Sequence, residues 1–144
     1  MLPPVYFLAS IVVMVGLGML LPGARILSFP WTMGGLIPLA AGATLDLAAA
    51  RALKRHQTTI KPFEVSTSLV TEGVFGVSRN PIYLGMILIL IGVALLLGAL
   101  TPFVVCAAFA VLMHYRFVRI EERMLAERFG PEWRRYTACV RRWV

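Results

Sequence analysis

Ser78–Gly98 reads SRNPIYLGMILILIGVALLLG. Three polar residues, Ser78, Arg79 and Asn80, precede Pro81, and beyond Tyr83 the run is apolar to its end. Proline at the first helical position, with Ser78 or Asn80 in place to cap it, marks a helix start. An apolar run of this length, without a polar stripe, belongs inside a large core or in lipid. After the turn sequence LLLGALTPF a second apolar run extends from Pro102 to Met113, and more weakly to Val118. The two runs predict a helical hairpin. Arg79, Asn80 and Tyr83 stand at its open end, facing the charged continuation that starts at His114.

The whole chain shares this character. Its 144 residues are 59% hydrophobic and 15% charged, too few charges to solvate the surface of a soluble domain of this size. Two more apolar stretches, Val5–Leu21 and Trp31–Ala50, approach the ~20 residues that cross a hydrocarbon layer. The expectation is an all-α integral membrane protein with about four transmembrane helices, at about 5–21, 31–50, 82–100 and 102–118. Residues 1–144 form one domain, with a loop at 51–80 and a C-terminal segment at 119–144 that carries an amphipathic helix. No basic stretch precedes the first span and no small-x-small site follows it, so no cleavable signal peptide is expected.

A net charge of +7 would suit nucleic acid, but its distribution points to a bilayer. If the end of the second span faces the cytoplasm, Arg25 alone among the 14 Lys and Arg residues lies on the other side. This positive-inside asymmetry places both termini and the 51–80 loop in the cytoplasm, next to anionic headgroups. Cys106 and Cys139 fall roughly 30 Å apart across the membrane, too far for a disulfide. No Cys/His spacing suits a metal.

Glycines in the first two spans (Gly16, Gly18, Gly34, Gly35, Gly42) let helices approach closely. Asp46 lies little more than a turn from Arg51, and two readings stand: a functional acid within the membrane, or an acid paired with the basic helix end. In the 51–80 loop, Gly73 and Gly76 permit sharp turns, while Phe63, Leu69, Val74 and Phe75 would anchor it to the membrane face. Beyond His114, HYRFVRIEERMLAERFG is helical, with Tyr115, Arg119 and Glu122 on one stripe. Gly130-Pro131 stops that helix. Trp133, Tyr136, Val140 and Trp143 then give a short interfacial piece.

The hairpin brings Arg79, Asn80 and Tyr83 opposite His114, Tyr115, Arg119, Glu121 and Glu122. A helix N-terminus suits a carboxylate, and the glutamates suit a cation or ribose hydroxyls. Taken singly, each residue has a plainer reading: Arg79 at headgroups, the glutamates paired with nearby arginines, Tyr83 in an aromatic belt.

The stretches GVFGVSRNPIYLG and EERMLAERFGPEWRRYTACVRRW resemble the superfamily of membrane methyltransferases that includes isoprenylcysteine carboxyl methyltransferases and phospholipid N-methyltransferases. Its pattern has Gly-x-Phe/Tyr, Arg-His/Asn-Pro-x-Tyr-x-Gly, a hydrophobic hairpin, Glu-Glu-x-x-Leu-x-x-x-Phe-Gly and Tyr-x-x-Tyr. Both halves occur here in order between Gly73 and Trp143. The resemblance implies S-adenosylmethionine bound between hairpin and C-terminal helix, and a lipid-like or small amphiphilic methyl acceptor arriving from the bilayer. Carried over by position, Asn80, Tyr83, Gly85, His114, Tyr115, Glu121 and Glu122 would bind the cofactor. Arg79, Arg119 and Glu122 would serve catalysis or meet the acceptor. Asn80 stands where prenylcysteine enzymes have histidine, and Trp133 replaces a common tyrosine. Arg116 and Arg119 both remain open as the arginine that meets the acceptor.

Such a reaction is an in-line methyl transfer, in which the protein holds two reactants aligned and dry. A carboxylate acceptor needs no base; an amine or thiol does, and Glu122 or His114 is nearest. Two other readings compete: a membrane reductase of the sterol-reductase type using a dinucleotide, and a catalytically silent membrane scaffold.

Overall fold

The computed structural model describes residues 2–58 and 66–144. Lys61, Pro62, Phe63 and Glu64 of the loop lie outside the described residues. Among those described, every regular element is helical: α1 (Pro3–Leu20), α2 (Leu36–Arg55), α3 (Pro81–Leu97), α4 (Thr101–Met113) and α5 (Arg119–Cys139). Short 3-10 turns at Trp31–Gly35 and Gly73–Gly76 lead into α2 and toward α3.

Three continuous helical stretches, Pro3–Leu20, Trp31–Arg55 and Thr101–Cys139, are long and apolar enough to cross a membrane, and α3 is a shorter apolar helix. The chain is an integral membrane protein. The third stretch would reach about 58 Å at 1.5 Å per residue, nearly twice a ~30 Å hydrocarbon layer. Its composition shows where it leaves that layer: α4 is apolar throughout, while α5 opens with Arg119, Glu121 and Glu122.

α3 is the hub. It packs along α2 most extensively, and on its other side against α1 and α4, which also pack on each other. The α2 contact depends on glycine. A Cβ on Gly92 would lie 2.6 Å from the Gly35 carbonyl oxygen, and one on Gly42 would lie 2.5 Å from that of Gly85. Backbone meets backbone there, so no side chain fits. Gly16 and Gly34, by contrast, have nothing within 4 Å of a Cβ position and do not serve close packing. The core beside α3 holds Met14, Leu90, Ala94, Phe109, Met113, Phe117 and Val118.

α3 ends at Gly98, whose φ of 65° is the left-handed conformation of a helix C-terminus. The hairpin turn is tied to the α1–α2 connection, where the Ile26 N–H donates to Gly98 O at 2.9 Å and the Leu100 N–H to Ala24 O at 3.0 Å. The loop before α3 is anchored on protein: Val70 and Phe75 pack with Ala49, Val74 joins them, and Leu69 lies against Trp133 and Tyr136.

Two features have no counterpart in the sequence reading. His114–Val118 forms a π-helical turn between α4 and α5. It widens the backbone by about one residue per turn and shifts the phase of everything after it. Gly130, at φ 45° and ψ −108°, breaks α5 internally; Pro131 then restarts the helix to Cys139. The glycine-proline pair thus makes a kink with a second helical run rather than a stop.

Candidate functional site

Helix α3 opens as its sequence dictates, with Pro81 in the first turn and Asn80 in the N-cap position. The Asn80 side chain does not cap it. Its Nδ2 donates instead to Glu122 Oε1 at 3.4 Å and to the Arg142 carbonyl at 3.2 Å. The backbone carries the turn: the Asn80 N–H donates to Ser78 Oγ at 3.2 Å, and the Leu84 N–H to Asn80 O at 3.0 Å. The Asn80 side-chain NH2 group thus faces Glu122 and the C-terminal segment.

Across from it, the start of α5 supplies two carboxylates in different settings. Glu121 Oε1 accepts a 2.7 Å hydrogen bond from the Tyr83 hydroxyl. Burial pushes the Glu121 carboxyl up to about 7, and the Tyr83 hydrogen bond pulls it the other way. Tyr83 is itself buried, its ring tilted against Phe117, which meets Tyr6 edge-on at 5.9 Å. Glu122 is 8% exposed and wholly engaged. Arg142 Nη2 and Nε reach its Oε2 at 2.7 and 2.9 Å, and Arg79 lies 3.4 Å from its Oε1. The Glu122 hydrogen bond raises the Arg142 pKa further. Arg79 stacks 5.8 Å from the Trp133 ring, and its Nε is buried without a hydrogen-bond partner among the described residues.

The structure therefore brings Arg79, Asn80, Tyr83, Glu121 and Glu122 together. Three other residues with a proposed role stay on the rim. Tyr115 is 60% exposed, with Arg119 stacked 5.6 Å over its ring. His114 lies between Tyr115 and Trp143, at centroid distances of 4.9 and 6.2 Å. Gly85 belongs to a different surface of α3, closed on Gly42 and Asp46. Asp46 makes no ion pair with Arg51 among the described residues; its Oδ1 is buried beside Gly85 without a hydrogen-bond partner. Both cysteines are free, and no group of three or more metal-binding side chains occurs among the described residues.

Arg142 is the residue that sequence reasoning passed over. It appears there as one positive charge among many in a tail. The signal that could have found it is weak: the arginine pair Arg141-Arg142 stands just before an aromatic residue, as Arg134-Arg135 does before Tyr136.

A buried acid–amide–tyrosine cluster thus stands at the polar end of an apolar hairpin. Residues 31–132 match the phospholipid methyltransferase family. The chain belongs to that family. The match runs from the 3-10 turn before α2 to the kink of α5, so it contains α3, the hairpin and both glutamates, and ends before Arg142. Neither the curated proteins nor the solved structures contain a significant match. Within a family of membrane methyltransferases, the mouth between α3 and α5 is the candidate active site.

Proposed function

We propose that the chain is an S-adenosylmethionine-dependent membrane methyltransferase whose donor site is the α3–α5 mouth. The observation that carries this reading is the half-buried Tyr83–Glu121 pair beside Asn80 and Arg79, at the edge of an otherwise apolar bundle. The residues fit the cofactor's polar groups. Glu121 suits an ammonium, the unpartnered Arg79 Nε suits a carboxylate oxygen, and the Tyr83, Phe117 and Tyr6 rings offer an aromatic wall. When bound, S-adenosylmethionine supplies an electrophilic methyl group on a sulfonium.

The chain's own part is alignment and exclusion of water. Tyr83 fixes Glu121, and Phe117 and Met113 seal the inner side of the mouth. The acceptor is a lipid-like or small amphiphilic molecule that reaches the mouth from the bilayer, its polar group meeting Arg79 or the rim arginine Arg119. Both termini and the site face the cytoplasm, supported by the clustering of basic residues at that end.

The family match gives the methyltransferase reading support that the dinucleotide reductase lacks. Ligand binding separates it from a silent scaffold. Calorimetric titration of S-adenosylhomocysteine into the detergent-purified protein is expected to show saturable binding, weakened at least tenfold by Glu121→Gln. A folded protein that takes up none of it overturns the proposal.

A further inference from the structure

The last five residues run back over the opening of α3, fastened to it by three hydrogen bonds and to α5 through the Arg142 side chain. The Arg79 N–H donates to Arg141 O at 3.1 Å. The Ser78 hydroxyl and the Asn80 amide both donate to Arg142 O, at 3.3 and 3.2 Å. The Arg142 guanidinium grips Glu122 with two bonds, Nε and Nη2 both donating to Oε2, and hydrogen bonds between two charged partners are shorter and stronger than neutral ones. Val140 is buried against Trp133 and Tyr136, and Tyr136 donates to the Phe75 carbonyl at 2.6 Å. One continuous set of contacts thus links loop, helix start, α5 and tail.

Glu122 has its two oxygens occupied by Asn80, Arg79 and Arg142, whereas Glu121 meets only Tyr83 in hydrogen bonds among the described residues. Adjacent acids in one helix turn have therefore divided their work. The geometry points to Glu122 and Arg142 as a clamp that holds the C-terminal tail as one wall of the mouth, with Glu121 left to meet the ligand. Both are positioning residues in this assignment, which rests on the donor-site reading above. Glu122 acts through the tail, and Arg142 becomes a determinant of how the mouth is shaped. A bare ionic contact at a 38% exposed arginine would count for little, but here the tail backbone is fixed by the same residues.

The test compares Glu122→Gln, Arg142→Gln, Arg142→Lys and the double Gln variant in the full chain. Hydrogen exchange at the Arg79 amide reads the tail, because that N–H is bonded to the tail carbonyl. Calorimetry with S-adenosylhomocysteine reads the mouth. Each Gln variant is expected to speed Arg79 exchange and weaken binding by about tenfold. The double variant is expected to be no worse than the poorer single one, because both remove the same contact. Arg142→Lys should recover most of both.

Glu122→Gln weakening binding with Arg79 exchange unchanged, while Arg142→Gln leaves affinity unaltered or tighter, would overturn the clamp and make Glu122 a ligand group with Arg142 its competitor. Should Glu122→Gln fail to fold, Arg142→Gln alone decides, since its side chain is only half-buried. Should the wild-type protein take up no S-adenosylhomocysteine, the donor-site reading falls, and Arg79 exchange still decides the clamp: faster in the Gln variants upholds it, unchanged overturns it.

Discussion

Helix α3 has two working surfaces, and they obey opposite rules. Along its length it meets α2 through Gly85 and Gly92, where carbonyls touch and nothing larger than hydrogen is accommodated. At its N-terminal end it presents Asn80 and Tyr83 to charged partners on α5 and the tail. The first surface is specified by the absence of side chains and the second by particular ones. Gly85 of the first and Asn80 and Tyr83 of the second fall within the motif RNPIYLG, so a short motif can combine residues of chemistry with residues of packing. Gly85 is in the pattern because α2 must come close, two positions from a tyrosine whose hydroxyl holds an acid.

This contrast breaks most visibly at the packing surface. Gly92→Leu would drive a side chain into the Gly35 carbonyl and Leu39 backbone, which a rigid helix pair cannot yield. Overpacking usually costs about 1–3 kcal/mol, and with backbone on both sides the expected result is loss of folded, monodisperse protein in size-exclusion chromatography. Gly34→Ala, where a Cβ has open space, should change the melting temperature little, within the ~0.5 kcal/mol of a neutral surface change.

The chemical surface should respond the other way. Tyr83→Phe removes one hydroxyl and leaves the ring against Phe117. Its expected effect is about tenfold weaker S-adenosylhomocysteine binding, near 1.4 kcal/mol, with the protein still folded. A fall in folded yield matching that of Gly92→Leu would merge the two surfaces into one.

Glu121 gives the comparison a pH dependence. Burial raises its carboxyl from 4.5 to about 7, so the folded protein holds that proton more tightly than the unfolded chain. The stability this group contributes is fully present below pH 4.5 and is lost as pH rises through about 7. Binding of a cation by its carboxylate runs in the opposite sense, weakening as pH falls below about 7. Affinity for S-adenosylhomocysteine measured between pH 6 and 8 should increase with pH in the wild type and flatten in Glu121→Gln. The smallest effect is expected on the rim: Tyr115→Ala and Arg119→Ala should alter that affinity less than threefold, because both side chains point outward and hold each other.

How much of this the sequence could show depends on range. The apolar runs and the LLLGALTPF turn are local signals, and the hairpin they predict forms between Pro81 and Met113. The hairpin brings the start of α5, and with it Glu121 and Glu122, toward Asn80 and Tyr83, but the facing of these side chains also depends on the turn between α4 and α5. The rim placement of His114, Tyr115 and Arg119 does not follow from the hairpin, because the π turn at His114–Val118 alters helical phase without any proline or glycine to announce it. The Asn80 cap is absent for a tertiary reason: its NH2 group is held by Glu122 and the Arg142 carbonyl, and its oxygen makes no capping bond to the helix. Arg142 was illegible because nothing in a run of surface-type arginines says which one folds back over sixty residues of chain.

The most direct test of the central claim is to locate the donor. Ultraviolet crosslinking of methyl-labelled S-adenosylmethionine, followed by peptide mapping, should place the label on the segments around Asn80–Tyr83 or Phe117–Glu122, with unlabelled S-adenosylhomocysteine suppressing it. Label confined to α1 or α2, or label that the competitor leaves unchanged, would contradict a donor site at the mouth between α3 and α5.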